Sequence, residues 1–316
     1  MPIRITPLTD PHRSPSSHRL AWLASGPDGV PIGSAFLRLF TTAEQAHLAE
    51  LELHVNPAER RKSIGSQLLE AAVAAARGDG RRCVIAQAKA GSPGERFLHA
   101  RGFRTALTLT FARLPLAEAD LSALTDIVQR PHPGYRLTSW DGTVPDDLAE
   151  TFAASRRAMD DMPMDDVDFG TVVWDVDAVR AAAETIENRG ELLHTVAAVD
   201  EADGSIVGFT ELVVPGDGEG DGQHYGTGVL PAHRGHGLAL WMKAEAIRQA
   251  RERHPRLGGL LTDTADGNTH MRRVNDALGY VPTHQEFTYR LDLRGDPEHP
   301  PRRGEGTRIC VGRSLG

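Results

Sequence analysis

The chain has 316 residues, of which 40% are hydrophobic and 25% charged, and its formal net charge at pH 7 is −8. This length predicts about two domains, each large enough to bury its own core. The negative charge argues against general binding of nucleic acid or of an anionic membrane surface. No stretch approaches the ~18 consecutive apolar residues of a membrane-spanning helix, and the polar N-terminus does not resemble a signal peptide, so we expect a cytoplasmic protein.

Cysteine and lysine are both scarce. Cys83 falls within a predicted buried strand and Cys310 in a polar stretch near the C-terminus, so we expect no structural disulfide. No spacing of cysteine and histidine suggests zinc, and we predict no metal site. Lysine occurs only at positions 62, 89 and 243, whereas arginine abounds. This bias is typical of genomes rich in G and C, and we draw no mechanism from it.

Short apolar runs predict four strands at the start of the chain, at residues 3–8, 19–25, 31–40 and 47–55. The stretch between the first two contains Pro11, Pro15 and three serines, and it is too short and broken for helices. Four more elements follow in order: a turn at 55–65, an alanine-rich helix at 67–77, a strand at 82–88 and a Gly-aromatic ending at 97–103.

A connector at 115–133 begins with an acidic helical stretch and ends in Gln-Arg-Pro-His-Pro-Gly. Beyond it we predict a strand, two helices with apolar faces and a further strand, at 135–139, 144–159, 176–186 and 192–199. Past residue 293 the composition shifts to Gly, Pro, Arg and Glu, so we expect a polar tail.

The stretch 227–239 reads as a strand that passes through a glycine-rich turn into a helix predicted at 238–253. Gly235 and Gly237 permit close backbone approach, and the start of a helix leaves several N–H groups without partners. Together with the helix dipole these groups form a cradle for an anion such as a phosphate. A strand at 260–268 and a short helix at 270–278 follow.

The order strand, turn, helix, strand, helix and Gly-aromatic ending occurs twice, the second copy about 175 residues after the first. The turn resembles the pyrophosphate loop of the GNAT acetyltransferases, R/Q-x-x-G-x-G/A, which Arg234, Gly237 and Ala239 match. The chain resembles the tandem GNAT proteins of actinobacteria, the group that includes mycothiol synthase and antibiotic-modifying acetyltransferases. The resemblance implies an α/β (α+β) fold. It implies two GNAT folds in tandem, each of which is a mixed, mostly antiparallel sheet flanked by helices. The first of these folds is expected to lack its first two helices.

We therefore divide the chain into a degenerate N-terminal GNAT domain, a linker, a C-terminal GNAT domain and a tail, at 1–115, 116–134, 135–294 and 295–316. We expect the second domain to be catalytic, because its two predicted helices supply a wall for the acceptor. Ser63 also replaces the first glycine of the turn in the first half. Glu50 and Glu52, on the fourth strand of the first half, leave open an active first domain.

The resemblance implies that acetyl-CoA is the co-substrate. The residues expected to hold it are Val229, Leu230, Arg234, Gly235, His236, Gly237, Leu238, Ala239, Asn268 and Asn275.

Three residues are catalytic candidates. Glu211 on the third strand is a candidate base, although alternation places it toward either the cleft or solvent. Tyr225 is a candidate acid or base, beside His224, which titrates in a useful range. Asn275 stands where the family often has a tyrosine that protonates the leaving thiolate, and Leu98 is its first-half counterpart. Asn275 either hydrogen-bonds the CoA sulfur or lies on the helix surface.

The implied reaction is transfer of an acetyl group to a primary amine of a small molecule. Five acidic residues between the two helices of the second half either favour a cationic acceptor, such as a polyamine or antibiotic, or cap helix ends. These residues are Asp160, Asp161, Asp165, Asp166 and Asp168. The alternatives are a mycothiol synthase-like enzyme that acetylates a sugar-linked cysteine, and a non-catalytic module that holds acyl-CoA or a drug. We expect a monomer or homodimer.

Overall fold

The computed structural model describes residues 3–9, 13–14, 17–160 and 173–293, and its strands form one continuous 13-stranded sheet. The strands of the first part of the chain are β1 Arg4–Leu8, β2 Arg13–Ser14, β3 Ser17–Ser25, β4 Pro31–Phe40, β5 Leu48–Val55, β6 Cys83–Lys89 and β7 Arg104–Pro115. The remaining strands are β8 Tyr135–Asp141, β9 Glu191–Asp200, β10 Ile206–Pro215, β11 Gly220–Val229, β12 Leu257–Ala265 and β13 Val281–Asp292.

Seven α-helices flank this sheet in the described part of the chain. They are α1 Ile64–Gly78, α2 Pro93–Ala100, α3 Leu121–Gln129, α4 Ala149–Ser155, α5 Val176–Glu187, α6 Leu238–Arg253 and α7 Thr269–Ala277. None of the helices formed by these residues has the length and apolar character that a membrane crossing requires.

The strand order is β1-β3-β4-β5-β6-β13-β7-β12-β11-β10-β9-β8, with β2 beside β3. Each half contributes antiparallel strands followed by one parallel pair, β5 with β6 and β11 with β12. No helix separates β1 from β3 among the residues described there, whereas α4 and α5 separate β8 from β9. The mixed sheet, the two copies and the reduced first half are therefore confirmed.

The two halves exchange their last strands. β13, from the end of the second half, pairs with both β6 and β7, and β7 in turn pairs with β12. Each half thus places a strand between two strands of the other. Tyr289 on β13 is fully buried in the core formed by α1 and the strands of the first half. Ala112 and Leu114 on β7 pack with α6 and α7 of the second half.

Polar contacts reinforce the exchange. Arg113 on β7 forms two hydrogen bonds with Asp221 on β11, at 2.9 and 2.7 Å. A Cβ on Gly259 would lie 2.8 Å from the Arg113 guanidinium, so a larger residue there would displace this side chain where it crosses β12. Thr110 on β7 donates to Asp266, just beyond β12, at 2.7 Å.

Two predicted helices differ in extent from the structure. The stretch predicted at 144–159 forms α4 and a 3-10 turn, Arg156–Met159, so it is shorter and tighter. In the connector, Asp120 accepts hydrogen bonds from the amides of Ser122 and Ala123, and α3 therefore begins only at Leu121. Leu124 of α3 is buried against α6, so the connector is packed rather than free.

Some predictions lie outside the described residues. The acidic residues Asp161, Asp165, Asp166 and Asp168 are among them, and so are the polar tail at 295–316 and Cys310. Cys83 lies buried in β6.

Candidate active site

The turn between the fourth strand and its helix has the same backbone conformation in both halves. Gly235 and Gly237, with φ of 85° and 75°, are left-handed ahead of α6. Arg61 and Ser63, with φ of 68° and 63°, take the same two positions ahead of α1. A left-handed backbone costs a residue with a Cβ roughly 1–2 kcal/mol, so the first half retains the turn despite strain that glycine avoids.

The start of α6 is open to an anion. The N-cap residue is Gly237, so its position provides no side-chain hydrogen bond to the first amides of the helix. A Cβ on Gly235 would have no neighbouring atom within 4 Å. The first N–H groups of α6 lack intrahelical partners and lie at the positive end of the helix dipole. This arrangement fits the pyrophosphate of acetyl-CoA.

The residues flanking this turn are tied to the sheet. The Nε of Arg234 donates to the carbonyl of Val229 at 3.0 Å, as Arg60 donates to the carbonyl of Val55 at 3.3 Å in the first half. The amide of Leu230 donates to the carbonyl of Val207 at 2.8 Å. The predicted family arginine therefore holds the turn to the end of β11, whatever else it binds.

The connector closes one side of the turn. His132 stacks on Trp241 of α6 with ring centroids 4.0 Å apart, and its Nδ1 donates to the carbonyl of His236 at 3.1 Å. Burial lowers the pKa of His132. Leu238 and Ala239, which follow the turn, are buried at the start of α6 and form the floor rather than the surface of the cradle.

The strands of the second half part beside this turn. The parallel ladder of β11 and β12 ends at the pair Gln223 and Leu261. In the ladder with β10, Glu211 pairs with Gly226 and Leu212 with His224, so Tyr225 is the extra residue of a bulge. Tyr225 is 47% exposed. The separation of the strands opens a cleft. Beyond Gln223, the backbone of β11 has no ladder partner on β12.

A cavity of about 250 Å³ lies in this cleft. β11 contributes His224, Tyr225, Gly226 and Thr227 to its lining, and β12 contributes residues 262–265. Met159 from the 3-10 turn after α4 and residues of the exchanged strands β7 and β13 also line the cavity. Asn268, the N-cap of α7, and Met271 complete the lining from the second half.

Lys243 lies under the point where the strands part. It is 1% exposed, and its Nζ donates to Oδ1 of Asn275 at 2.7 Å. Asn275 donates in turn to the hydroxyl of Thr264 at 3.0 Å. The Nζ lies 5.0 Å from the ring centroid of Tyr280. Burial lowers the pKa of Lys243 to about 7.

Two buried polar atoms beside Lys243 lack a hydrogen-bond partner in the described residues, Nε2 of His224 and the hydroxyl of Tyr280. The Nδ1 of His224 lies 3.4 Å from the hydroxyl of Thr210. Burial, and then the charge of Lys243, hold the pKa of His224 well below its usual value. Burial raises the pKa of Tyr280, so this phenol is a poor acid.

Asp263 stands at the mouth of the cleft. Its side chain is accessible to solvent, yet desolvation by the surrounding walls raises the pKa of its carboxyl group. Gln223 donates to Asp263 at 3.3 Å. Among the described residues that line the cavity, Asp263 is the one carboxylate.

Glu211 is not free. It is buried and forms an ion pair with Arg156 at 2.5 Å. The Arg156 guanidinium lies over Trp174, at 4.1 Å from the ring centroid, and near Phe209, at 5.0 Å. The pair lies close to the cavity, since Oε2 of Glu211 would be 3.8 Å from a Cβ on Gly226, a residue of the cavity lining.

The structure brings some of the predicted residues together and separates others. Tyr225 and Asn268 line the cavity, whereas Asn275 is buried behind Lys243 and does not lie on the helix surface. The assignments of Glu211, Tyr225 and Asn275 to catalysis, and of the turn residues to CoA, stay predictions.

Sequence reasoning missed Lys243 and Asp263. A signal for Lys243 existed, because it lies four residues after Ala239 and four before Ile247, on the apolar face of the helix. Asp263 carried no such signal, since strand alternation alone does not identify the side that faces a cleft.

Comparison with known proteins agrees with this geometry. The model of the Acetyltransferase (GNAT) family matches residues 5–103 and 159–280. Mycothiol acetyltransferase of Nocardia farcinica (strain IFM 10152) is 32% identical over 267 residues, which cover 83% of this chain and 80% of the relative. Mycothiol acetyltransferase of Clavibacter michiganensis subsp. michiganensis (strain NCPPB 382) is 34% identical over 223 residues, covering 69% and 64%.

Among solved structures, a tandem GNAT protein from the clavulanic acid biosynthesis pathway superposes with a TM-score of 0.72. It is 23% identical and covers 90% of this chain and 86% of its own, so it supports the fold alone. The chain belongs to the GNAT acetyltransferase family. It is an acyltransferase of the tandem type that uses acetyl-CoA as co-substrate, as the resemblance predicted.

Proposed function

We propose that the second half transfers the acetyl group of acetyl-CoA to a primary amine of a small molecule, in the cleft where β11 and β12 part. The observation that carries the proposal is the lining of the cavity, which joins Met159 of the 3-10 turn after α4 to Lys243 of α6 and to Asn268 and Met271 at α7. One co-substrate thus enters beside α6 and α7, and the other from the opposite face of the sheet.

The reaction forms a C–N bond and breaks the thioester C–S bond, and positioning both reactants supplies several kcal/mol of the barrier reduction. We assign the amides at the start of α6 to the pyrophosphate. We assign the oxyanion to a backbone N–H group of β11 at the bulge of Tyr225, which lines the cavity.

We infer that the first half does not catalyse. Its acceptor face carries no helix among residues 3–9, 13–14 and 17–55, so an acceptor would lack the wall that α4 and α5 give the second half. Arg61 and Ser63 also place side chains on the first-half turn where Gly235 and Gly237 leave the backbone open.

A second candidate acceptor is the amine of a sugar-linked cysteine, as in a mycothiol acetyltransferase. The two relatives of that name favour it, because the Nocardia protein matches 83% of this chain. A cationic amine remains the first candidate, because the carboxylate of Asp263 in the cavity lining would attract a positive charge. A panel of aminoglycosides, polyamines and sugar-linked cysteine derivatives, assayed for CoA release, separates the two.

Calorimetric titration of acetyl-CoA into wild type, Gly237→Trp and Ser63→Trp tests the location of the site. The two substitutions are matched, because both residues are left-handed N-caps of the corresponding helices. We expect Gly237→Trp to abolish binding and Ser63→Trp to leave one site intact. Binding lost only in Ser63→Trp, or in neither variant, contradicts the proposal.

A further inference from the structure

Lys243 is a buried titratable residue at a position where the first half carries an apolar one. The two halves correspond residue for residue after their left-handed N-caps, so the sixth residue of α6, Lys243, matches the sixth residue of α1, Leu69. Leu69 is buried in the first-half core. The same scaffold therefore packs with a leucine at this position, and desolvating a lysine there only weakens it.

Its partner shows the same contrast. Asn275 lies four residues before Gly279, and Leu98 lies four residues before Gly102 in the first half. Both Leu98 and Asn275 are buried. The polar pair Lys243 and Asn275 thus replaces two leucines only in the half that has the acceptor wall and the cavity.

We propose that Lys243 is the proton-transfer residue of the second half. The proposal rests on acetyl transfer in that cleft, and it names the group that handles the proton. The geometry that supports it is the position of Lys243 in the cavity lining, the hydrogen bond that its Nζ donates to Asn275, and the Nε2 of His224 beside it, which has no partner in the part of the chain that the structure describes.

The step balances without any further reactant. The neutral amine of Lys243 accepts one proton from the acceptor nitrogen as the lone pair of that nitrogen forms the C–N bond. When the C–S bond breaks and its electron pair leaves with sulfur, the Lys243 ammonium returns the proton to the thiolate. The products are the acetamide and CoA thiol, and Lys243 ends as the neutral amine.

The surroundings of Lys243 suit both directions of transfer. The titratable groups that face it are His224 on β11, Asp263 on β12 and Tyr280 after α7. Burial lowers the pKa of Lys243 to about 7, while the charge of Asp263 acts in the opposite direction. An amine that titrates near neutrality is poised to gain and to lose a proton, as general acid–base catalysis requires. His224 stays neutral beside it, since its own pKa is lowered.

The chain offers a direct measurement that does not depend on activity. It has three lysines, and Lys62 and Lys89 have exposed side chains, at 58% and 65%. Carbon-13 labelling of lysine therefore gives three side-chain signals, and Lys243→Leu identifies one of them. We expect the Lys243 signal to titrate with a midpoint near 7, as its environment dictates. A signal that stays charged up to pH 9 overturns the proposal.

Kinetics test the role itself. Lys243→Leu, which copies the first-half residue, should lower kcat by about 10²–10⁴-fold with the best amine of the panel. The rise of the wild-type rate with pH near 7 should disappear. Lys243→Arg should not restore activity, because arginine keeps its proton at these pH values. A purely structural cation would be rescued by arginine.

The outcomes separate this inference from the proposed function. If wild type neither binds acetyl-CoA nor acetylates any amine of the panel, the proposed function fails. If wild type does both, and Lys243→Leu binds acetyl-CoA and keeps the rate and pH profile of wild type, only the role of Lys243 fails. Loss of rate with acetyl-CoA affinity unchanged supports it.

Discussion

Arg156 and Glu211 form a charged pair in the core of the acceptor wall. The guanidinium packs against the rings of Phe152, Phe209 and Trp174, and its Nε has no hydrogen-bond partner among the described residues. Each charge is desolvated, so each depends on the other. This pairing opposes the predicted use of Glu211 as a base, because its carboxylate is buried against Arg156 and does not line the cavity.

We predict that Arg156→Leu lowers the free energy of unfolding by about 3–5 kcal/mol, because it leaves the Glu211 carboxylate buried without its partner. Arg38→Leu breaks the exposed pair of Arg38 with Glu50, and it should cost at most about 1 kcal/mol. Urea unfolding of both variants measures the difference. Equal losses would show that the Arg156 pair is no more desolvated than the surface pair.

At the scale of elements, a proton-sharing chain joins the edge of the second half to the end of α6. The Nδ1 of His194 on β9 donates to Asp141 on β8 at 2.6 Å, and its Nε2 lies 2.8 Å from Nε2 of His254. In this hydrogen bond one of the two Nε2 atoms donates a proton and the other accepts it. Desolvation, and then the charges of His194 and Arg253, lower the pKa of His254 from 6.5.

Because folding lowers this pKa, the unfolded chain binds the proton more tightly. The contribution of His254 to stability is therefore present above pH 6.5 and is lost as the pH falls through the folded pKa. We predict a decrease in the free energy of unfolding of wild type from pH 8 to pH 5, measured in urea. His254→Gln should flatten the decrease without removing it, since burial also lowers the pKa of His224 and of Lys243, and both act in the same direction. As a control, substitution of the exposed His54 by Gln should leave the dependence of the free energy of unfolding on pH as in wild type. An equal flattening by His254→Gln and His54→Gln contradicts the assignment to His254.

At the scale of the whole molecule, the exchange of β7 and β13 makes each half incomplete without the other. Without β13, the facing edges of β6 and β7 have no partner between them, and Tyr289 is missing from the first core. Open edges of this kind favour association rather than a folded monomer. The division at residues 115 and 135 stays a prediction about sequence units, and the structure offers no reason for independent folding.

We predict that residues 1–134 expressed alone do not form a folded monomer, and that co-expression with residues 135–316 restores a stable complex. Size-exclusion chromatography and the amide dispersion of a ¹⁵N-labelled fragment measure this. The full chain should unfold in one transition in urea. A monomeric first fragment with well-dispersed amides would contradict the prediction.

The local hydrophobic pattern predicts most helices and strands. Their periodicity and their start and stop signals lie within a few residues of one another in the chain. The helix predicted at 238–253 coincides with α6, and the strand predicted at 31–40 coincides with β4. The repeated turn with Arg234 and Gly237 identified the family, because this backbone requires left-handed residues at fixed positions. Acetyl-CoA use followed from the same turn.

Only the tertiary structure shows which strands pair with one another and which buried side chains are in contact. The exchange of β7 and β13 depends on pairing between residues far apart in the chain, such as Thr288 with Leu107, and no local pattern encodes it. The pairing of Glu211 with Arg156 and of Lys243 with Asn275 also joins distant residues. Residues close together in the chain were enough to predict the family and most of the elements, whereas the assignment of the turn to the co-substrate stays a prediction. Packing between distant segments determines the surroundings of Lys243 and Glu211, because desolvation and partner distance exist only in the folded chain.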